Sequence, residues 1–202
     1  PSLTGDLPNL ENPFQEAIEN PIQASTSNEG NRRFFVKDKD YPYIQERPFK
    51  WVRGYQVGGR SLTWSRQCYR LSDLDFNSNL NNSIGVDWPI RYKDIEPWYS
   101  YVEKFAGING AKDGLQQLPD GEFLPAMEFN CVVNDVAERM NTHYKSKRMI
   151  MGRSANLTAP IQGRTNCQYR NKCWLGCPFS AYFSTQSSTL PAAMATGKLT
   201  LR

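Results

Sequence analysis

Gly54-Tyr-Gln-Val-Gly58-Gly59-Arg60-Ser61-Leu62-Thr63-Trp64-Ser65-Arg66 is the most informative run in this chain. Adjacent glycines let the backbone take positive φ and approach a flat or anionic ligand, because no Cβ stands in the way. Successive amide N–H groups in such a turn form a concave nest that suits a phosphate. Ser61 and Thr63 add donors, and Trp64 could wall off a planar ring. Alone, a Gly-Gly pair marks a turn. The rest of the chain gives it a context.

The 202 residues are enough to bury one core or two small ones. Hydrophobic content is only 39%, and 13 prolines and 14 glycines point to long irregular connections. The net charge of +4 is scattered, apart from Lys145, Lys147, Arg148 and Arg153. That cluster reads as a solvated helix end, not as a nucleic-acid footprint. No apolar run approaches the ~18 residues of a membrane span. The chain opens at Pro1 without a methionine and closes on Lys198-Leu-Thr-Leu-Arg202, which reads as the start of a strand. An internal piece of a longer protein is the expectation.

Asn12-Pro13-Phe14-Gln15 is a helix start, and Pro21 limits that helix to about Asn20. Ser25 to Arg32 reads as a loop and Arg33-Phe-Phe-Val-Lys37 as a short strand. Asp87-Trp-Pro-Ile is an extended turn, after which Asp94 or Glu96 caps a helix entered through Pro97. Trp98, Tyr101, Val102 and Phe105 share one face of it, and Gly107 closes it. A second amphipathic helix is expected from about Pro125 to Lys147, burying Met127, Cys131, Val132, Val136 and Met140. The lone histidine, His143, sits at its basic end as a surface residue favoured by the helix dipole, not as an acid or base. A helix or turn around Ser184–Ala195 follows the irregular stretch after Gly163.

Cys68 and Cys131 are isolated and expected to behave as small buried hydrophobes. Cys167-x5-Cys173-x3-Cys177-Pro178 is different. An odd, tight group argues against a disulfide framework. Three readings stand side by side: reduced core cysteines, a zinc site with poor spacing and no obvious fourth ligand, and an iron–sulfur cluster favoured by soft thiolates.

Together these pieces resemble the glucose–methanol–choline family of flavoprotein oxidoreductases. Val57-Gly-Gly-Arg-Ser-Leu-Thr-Trp64 looks like the family's second flavin-contacting segment, and Asp87-Trp-Pro-Ile-Arg-Tyr-Lys-Asp-Ile-Glu-Pro-Trp-Tyr-Ser-Tyr-Val-Glu103 is close to its turn and "Glu-Pro-aromatic-aromatic" helix. Leu190-Pro-Ala-Ala-Met-Ala-Thr-Gly-Lys-Leu-Thr-Leu-Arg202 resembles the helix–Gly–strand that re-enters the flavin domain. The cysteine spacing is that of the branch of bacterial sugar dehydrogenases whose catalytic subunit carries a three-iron, four-sulfur cluster.

The resemblance implies an α+β fold, loop-rich with several helices: part of an FAD-binding domain plus part of a substrate domain. Its implied divisions are 1–49, a variable connecting segment; 50–106, the flavin-contacting segment and following helix; 107–163, a substrate-domain portion; and 164–202, the cysteine segment and return to the flavin domain. It implies FAD against Gly58, Gly59, Arg60, Ser61, Thr63 and Trp64, with Thr63 where a relative has a flavin-linked histidine, so that the flavin is non-covalent. It implies Cys167, Cys173 and Cys177 as ligands of a 3Fe-4S cluster. No catalytic residue is implied within the chain, because the family's His/Asn pair would lie beyond Arg202 and its dinucleotide fingerprint before Pro1. The implied substrate is a sugar-like alcohol, with Trp51, Trp64, Trp88 and Trp98 as candidate platforms or else core residues. A small subunit and a cytochrome-type acceptor are the implied partners, and the periplasm the implied compartment. The competing reading is a non-enzymatic module whose cysteines hold a structural metal.

Overall fold

The computed structural model describes residues 31–49 and 51–202, so the helix expected at 12–20 and most of the loop at 25–32 lie outside the described residues. Five α-helices occur among them: α1 (Asp73–Phe76), α2 (Ser78–Asn82), α3 (Tyr92–Ala106), α4 (Cys131–His143) and α5 (Leu190–Ala195). The β component consists of isolated bridges. The chain forms two compact units, one running to Ser65 and resuming at Cys167–Arg202, the other comprising Arg66–Asn166. The expected 50–106 segment is therefore shared between them.

In the first unit the expected strand at Arg33–Lys37 is a single 3-10 turn, Arg32–Phe34. The Asn31 carbonyl accepts the Phe34 N–H at 2.9 Å and bends the backbone away from extension. One lateral bond survives, from Val36 N–H to the Arg53 carbonyl at 2.9 Å. The core of this unit is Phe35, Leu62, Ala181 and Tyr182. A π-type turn, Thr185–Thr189, leads directly into α5 with Ser184 as its cap, so the expected helix around 184–195 is present. Residues 198–202 pair with no strand among the described residues.

In the second unit four short segments lie side by side. Gln67 bridges Ser154, Ser154 bridges Asn109, and Asn109 bridges Leu124. Bonds from Cys68 N–H to the Arg153 carbonyl, Asn109 N–H to Ser154 and Leu124 N–H to Ile108 hold them. Ala106, Ile108, Ala155 and Leu157 are buried there.

Helix α3 begins earlier than the sequence predicts. Asp94 is not its cap; its carboxylate reaches back to the Arg91 N–H at 2.8 Å, while Asp73 accepts the Tyr92 N–H at 2.8 Å. Pro97 therefore sits inside the helix. Gly107 closes α3 as expected, at φ 77°, and donates to Glu103. The apolar stripe does not face the core: Trp98, Tyr101 and Val102 are exposed, and Glu103 and Ala106 are buried instead. The reason is Arg70, whose guanidinium draws the polar side of α3 inward.

Helix α4 is shorter than expected, starting where the Asn130 side chain accepts the Val133 N–H at 2.9 Å. Its expected stripe is also misplaced. Of the expected residues, Met127 and Met140 are half-buried but Cys131, Val132 and Val136 are exposed, and Ala137 is the buried residue. His143 is exposed at the C-terminal end, as the dipole argument expects. The basic cluster splits. Lys145, Lys147 and Arg148 are exposed, but Arg153 is fully buried.

Candidate functional site

Gly58 and Gly59 both adopt left-handed backbone, at φ 94° and 47°, and open the 3-10 turn Gly59–Leu62. A side chain at Gly58 would press on Leu62 and Gln186 at 3.2–3.3 Å. One at Gly59 would meet only the Gly54 carbonyl, at 3.7 Å. The bare side of the turn is thus at Gly59. Arg60 is exposed, its guanidinium 4.9 Å over the Phe35 ring, and partial burial lowers its pKa.

The other three predicted residues serve the shape of the turn. Ser61 Oγ donates to the Gly58 carbonyl at 2.6 Å and accepts the Thr185 N–H at 3.0 Å. Thr63 is buried, and Trp64 donates its indole N–H to the Phe183 carbonyl at 2.9 Å. Sequence reading missed the segment that clamps the turn from behind. Tyr182 donates to the Leu62 carbonyl at 3.1 Å and Gln186 to the Val57 carbonyl at 2.7 Å. The signal available was the hydroxyl-rich run Ser184-Thr-Gln-Ser-Ser-Thr189, unusual for the start of a helix-bearing segment.

Cys167, Cys173 and Cys177 are all half-buried on one irregular stretch. Cys167 accepts the Tyr169 N–H and Cys177 the Ala181 N–H, each at 3.4 Å. The three do not assemble as a metal-holding group: among the described residues no three His, Cys, Asp or Glu side chains converge on one ion.

Buried arginines were invisible to pattern reading. Arg53 pairs with Asp38 at 2.8 Å, and Arg153 with Asp120 at 2.9 Å while stacking 4.6 Å over Phe123. Arg70 grips both Glu103 oxygens, at 2.8 and 2.6 Å, and donates to Tyr92 and Ser100. Burial opposes its charge, but Glu103 and Tyr92 more than offset that and raise its pKa. Among the described residues no carboxylate pairs with Arg164; it caps the Ala106 carbonyl of α3 at 2.9 Å, and burial lowers its pKa.

A shallow opening of about 400 Å³ adjoins Glu103, Lys104, Lys112, Glu122 and Phe123. Lys104 hydrogen-bonds Glu122 across it and depresses the Glu122 pKa.

Burial, with the Glu103 charge adding to it, pushes the Cys68 thiol up to about 11. At pH 8 it is protonated, and only the thiolate is nucleophilic. Iodoacetamide at pH 8 is therefore expected to label exposed Cys131 at least ~30-fold faster than Cys68, the thiolate fraction falling about tenfold per unit of pKa. The gap should narrow as the pH rises towards 11. Peptide mass mapping of timed samples checks this, and equal rates at pH 8 would contradict it.

No family model matches the chain. A search of curated proteins finds it similar to the fructose dehydrogenase large subunit of Gluconobacter japonicus, 24% identical over 131 residues, or 63% of this chain. The chain spans about a quarter of that relative's length (24%). At this identity the match shows a distant relationship to a sugar dehydrogenase subunit.

Proposed function

We propose that this chain supplies the flavin-contacting turn of an FAD-dependent oxidoreductase that oxidises a CH–OH group, the donor being a sugar or sugar-derived alcohol. The Gly58-Gly59 turn carries the proposal, since its glycine backbone is bare on the Gly59 side and clamped behind by Tyr182, Thr185 and Gln186. That arrangement fits the edge of a planar cofactor. The distant similarity to a dehydrogenase subunit supports the same direction.

A bound flavin supplies hydride acceptance from the alcohol carbon. The residues of this chain bind and orient. The Gly59 backbone admits the ring closely, Ser61 and Trp64 fix the turn from the protein side, and the Arg60 guanidinium is available to an anionic group. His143, exposed at the C-terminal end of α4, is not assigned the proton-accepting role in this proposal.

The proposal is tested on the intact protein. Purified protein should be yellow, release FAD on denaturation, and reduce an artificial dye with aldoses, glycosides or sugar acids. A colourless protein inactive on all three would remove it and favour the metal-holding module. Turnover of simple aliphatic alcohols alone would refute the sugar class. We further propose, from the family resemblance alone, a periplasmic enzyme with a small subunit and a cytochrome-type acceptor.

We also propose Cys167, Cys173 and Cys177 as iron–sulfur ligands, on the strength of three soft donors within eleven residues. Iron and acid-labile sulfide in anaerobically prepared protein should both be present and should fall several-fold in Cys173→Ser, the rough scale for losing a metal ligand. An iron-free preparation that reduces its natural acceptor at full rate would end this part.

A further inference from the structure

Residues 41–55 carry Tyr41, Tyr43, Phe49, Trp51 and Tyr55 within a short irregular stretch. Apolar rings at this density ordinarily build a core. Here Tyr41 is 53% exposed, Phe49 60%, Trp51 48% and Tyr55 64%. They are nevertheless held in place. Tyr41 meets Tyr55 edge-to-face at 5.1 Å, and Tyr43 meets Trp51 at 5.6 Å and Phe49 at 6.3 Å. The Tyr43 hydroxyl donates to the Phe49 carbonyl at 2.6 Å and accepts the Trp51 N–H at 3.3 Å.

Beneath the rings lies Arg53, 7% exposed. It donates to the Tyr41 carbonyl at 2.6 Å, the Trp51 carbonyl at 3.2 Å and Asp38 at 2.8 Å. Its guanidinium stacks 4.4 Å from the Trp51 ring and 5.2 Å from Tyr43. A buried cation thus spends its donors on the backbone of the residues that present the exposed rings. Trp51 is braced by Arg53 on one side and open on another. The platform also adjoins the glycine turn, since the Gly54 carbonyl is the atom nearest the missing Gly59 side chain.

We propose that this platform, centred on Trp51, is a saccharide-binding surface. A sugar ring offers an apolar C–H face bordered by hydroxyls. The matching protein surface is a braced aromatic face with a charged group beside it, and here exposed Asp38, bonded at 2.8 Å to the Arg53 that stacks on Trp51, is such a group. Rings fixed before the ligand arrives lose little entropy on binding. The choice of saccharide as ligand rests on the proposed function; the built platform rests on the contacts above.

The test needs neither flavin nor turnover, so its outcome is independent of the flavin assignment. The chain contains five tryptophans. Labelled with 5-fluorotryptophan, it is titrated with fructose and with methyl glucoside, and Trp51→Phe identifies the Trp51 fluorine resonance. The expected result is a saturable shift of that resonance with the other four unmoved. Trp51→Ala should weaken binding about tenfold, read from competing ligand-observed NMR, the scale of losing one aromatic stack. Three results would overturn the proposal: no shift with either sugar, a sugar-induced shift confined to other tryptophans, or a Trp51 resonance that moves with protein concentration alone. The last would mean that a second copy of the chain covers the platform.

Discussion

Replacing Gly59 with Asn in the flavin-loaded protein is expected to lower FAD retention at least about tenfold, equivalent to ~1.4 kcal/mol of binding, while the melting midpoint stays close to wild type. The reasoning separates two effects that a bulky replacement would mix. Gly59 sits at φ 47°, a left-handed conformation that Asn adopts more readily than any other residue with a side chain. Its new Cβ would have no protein atom nearer than the Gly54 carbonyl at 3.7 Å. Any loss then comes from what the side chain excludes. Gly58→Ala is the contrasting variant, because its methyl meets Leu62 and Gln186 at 3.2–3.3 Å and φ is 94°. It should lower the melting midpoint as well as flavin content. Full FAD retention by Gly59→Asn would show that the cofactor does not lie on this turn.

Arg70→Met is expected to destabilise the 66–166 unit by about 3–5 kcal/mol, the scale of breaking a buried ion pair by removing one partner. The Arg70 side chain is 2% exposed and that of Glu103 10%, so the carboxylate left behind has little water to turn to. Tyr92 and Ser100 lose their shared donor in the same change. Adding Glu103→Leu should recover most of the loss, because two matched apolar groups leave no orphaned charge. Urea unfolding of the wild type, both single variants and the double variant gives the cycle. A single variant within about 1 kcal/mol of wild type, the range of an exposed pair, would show that the pair is solvated in practice.

The same pair explains where sequence reading failed. Helix α3 has its apolar residues on one face, and periodicity alone points that face inward. Periodicity cannot see a buried arginine arriving from a segment some 30 residues earlier to claim Glu103, Ser100 and Tyr92. Gly121 shows how close the packing is, for a Cβ there would collide with the Glu103 carboxylate. Arg153 was misread for a related reason: a basic residue near other basic residues looks solvated until Asp120 and the Pro119 carbonyl are found beside it. What depends on local geometry was legible. The Gly107 terminus of α3, the left-handed Gly58 and Gly59 and the turn–helix at 184–195 follow from short-range rules. The candidate turn was legible as a turn, but the inward use of Ser61 and Trp64 was not. Those side chains answer to residues more than a hundred positions away.

That separation has a bearing on how the protein is made. The first unit cannot close until the ribosome has delivered its second half. The bonds joining Leu62 to Tyr182, Ser61 to Thr185 and Val57 to Gln186 span 120, 124 and 129 residues. At ordinary elongation rates of roughly 5–20 residues per second, the glycine turn waits on the order of 5–25 s for its clamp. During that wait the whole of Arg66–Asn166, a compact unit of its own, emerges. The glycine turn, although translated before the middle unit, is therefore set only after the whole of that unit has been made.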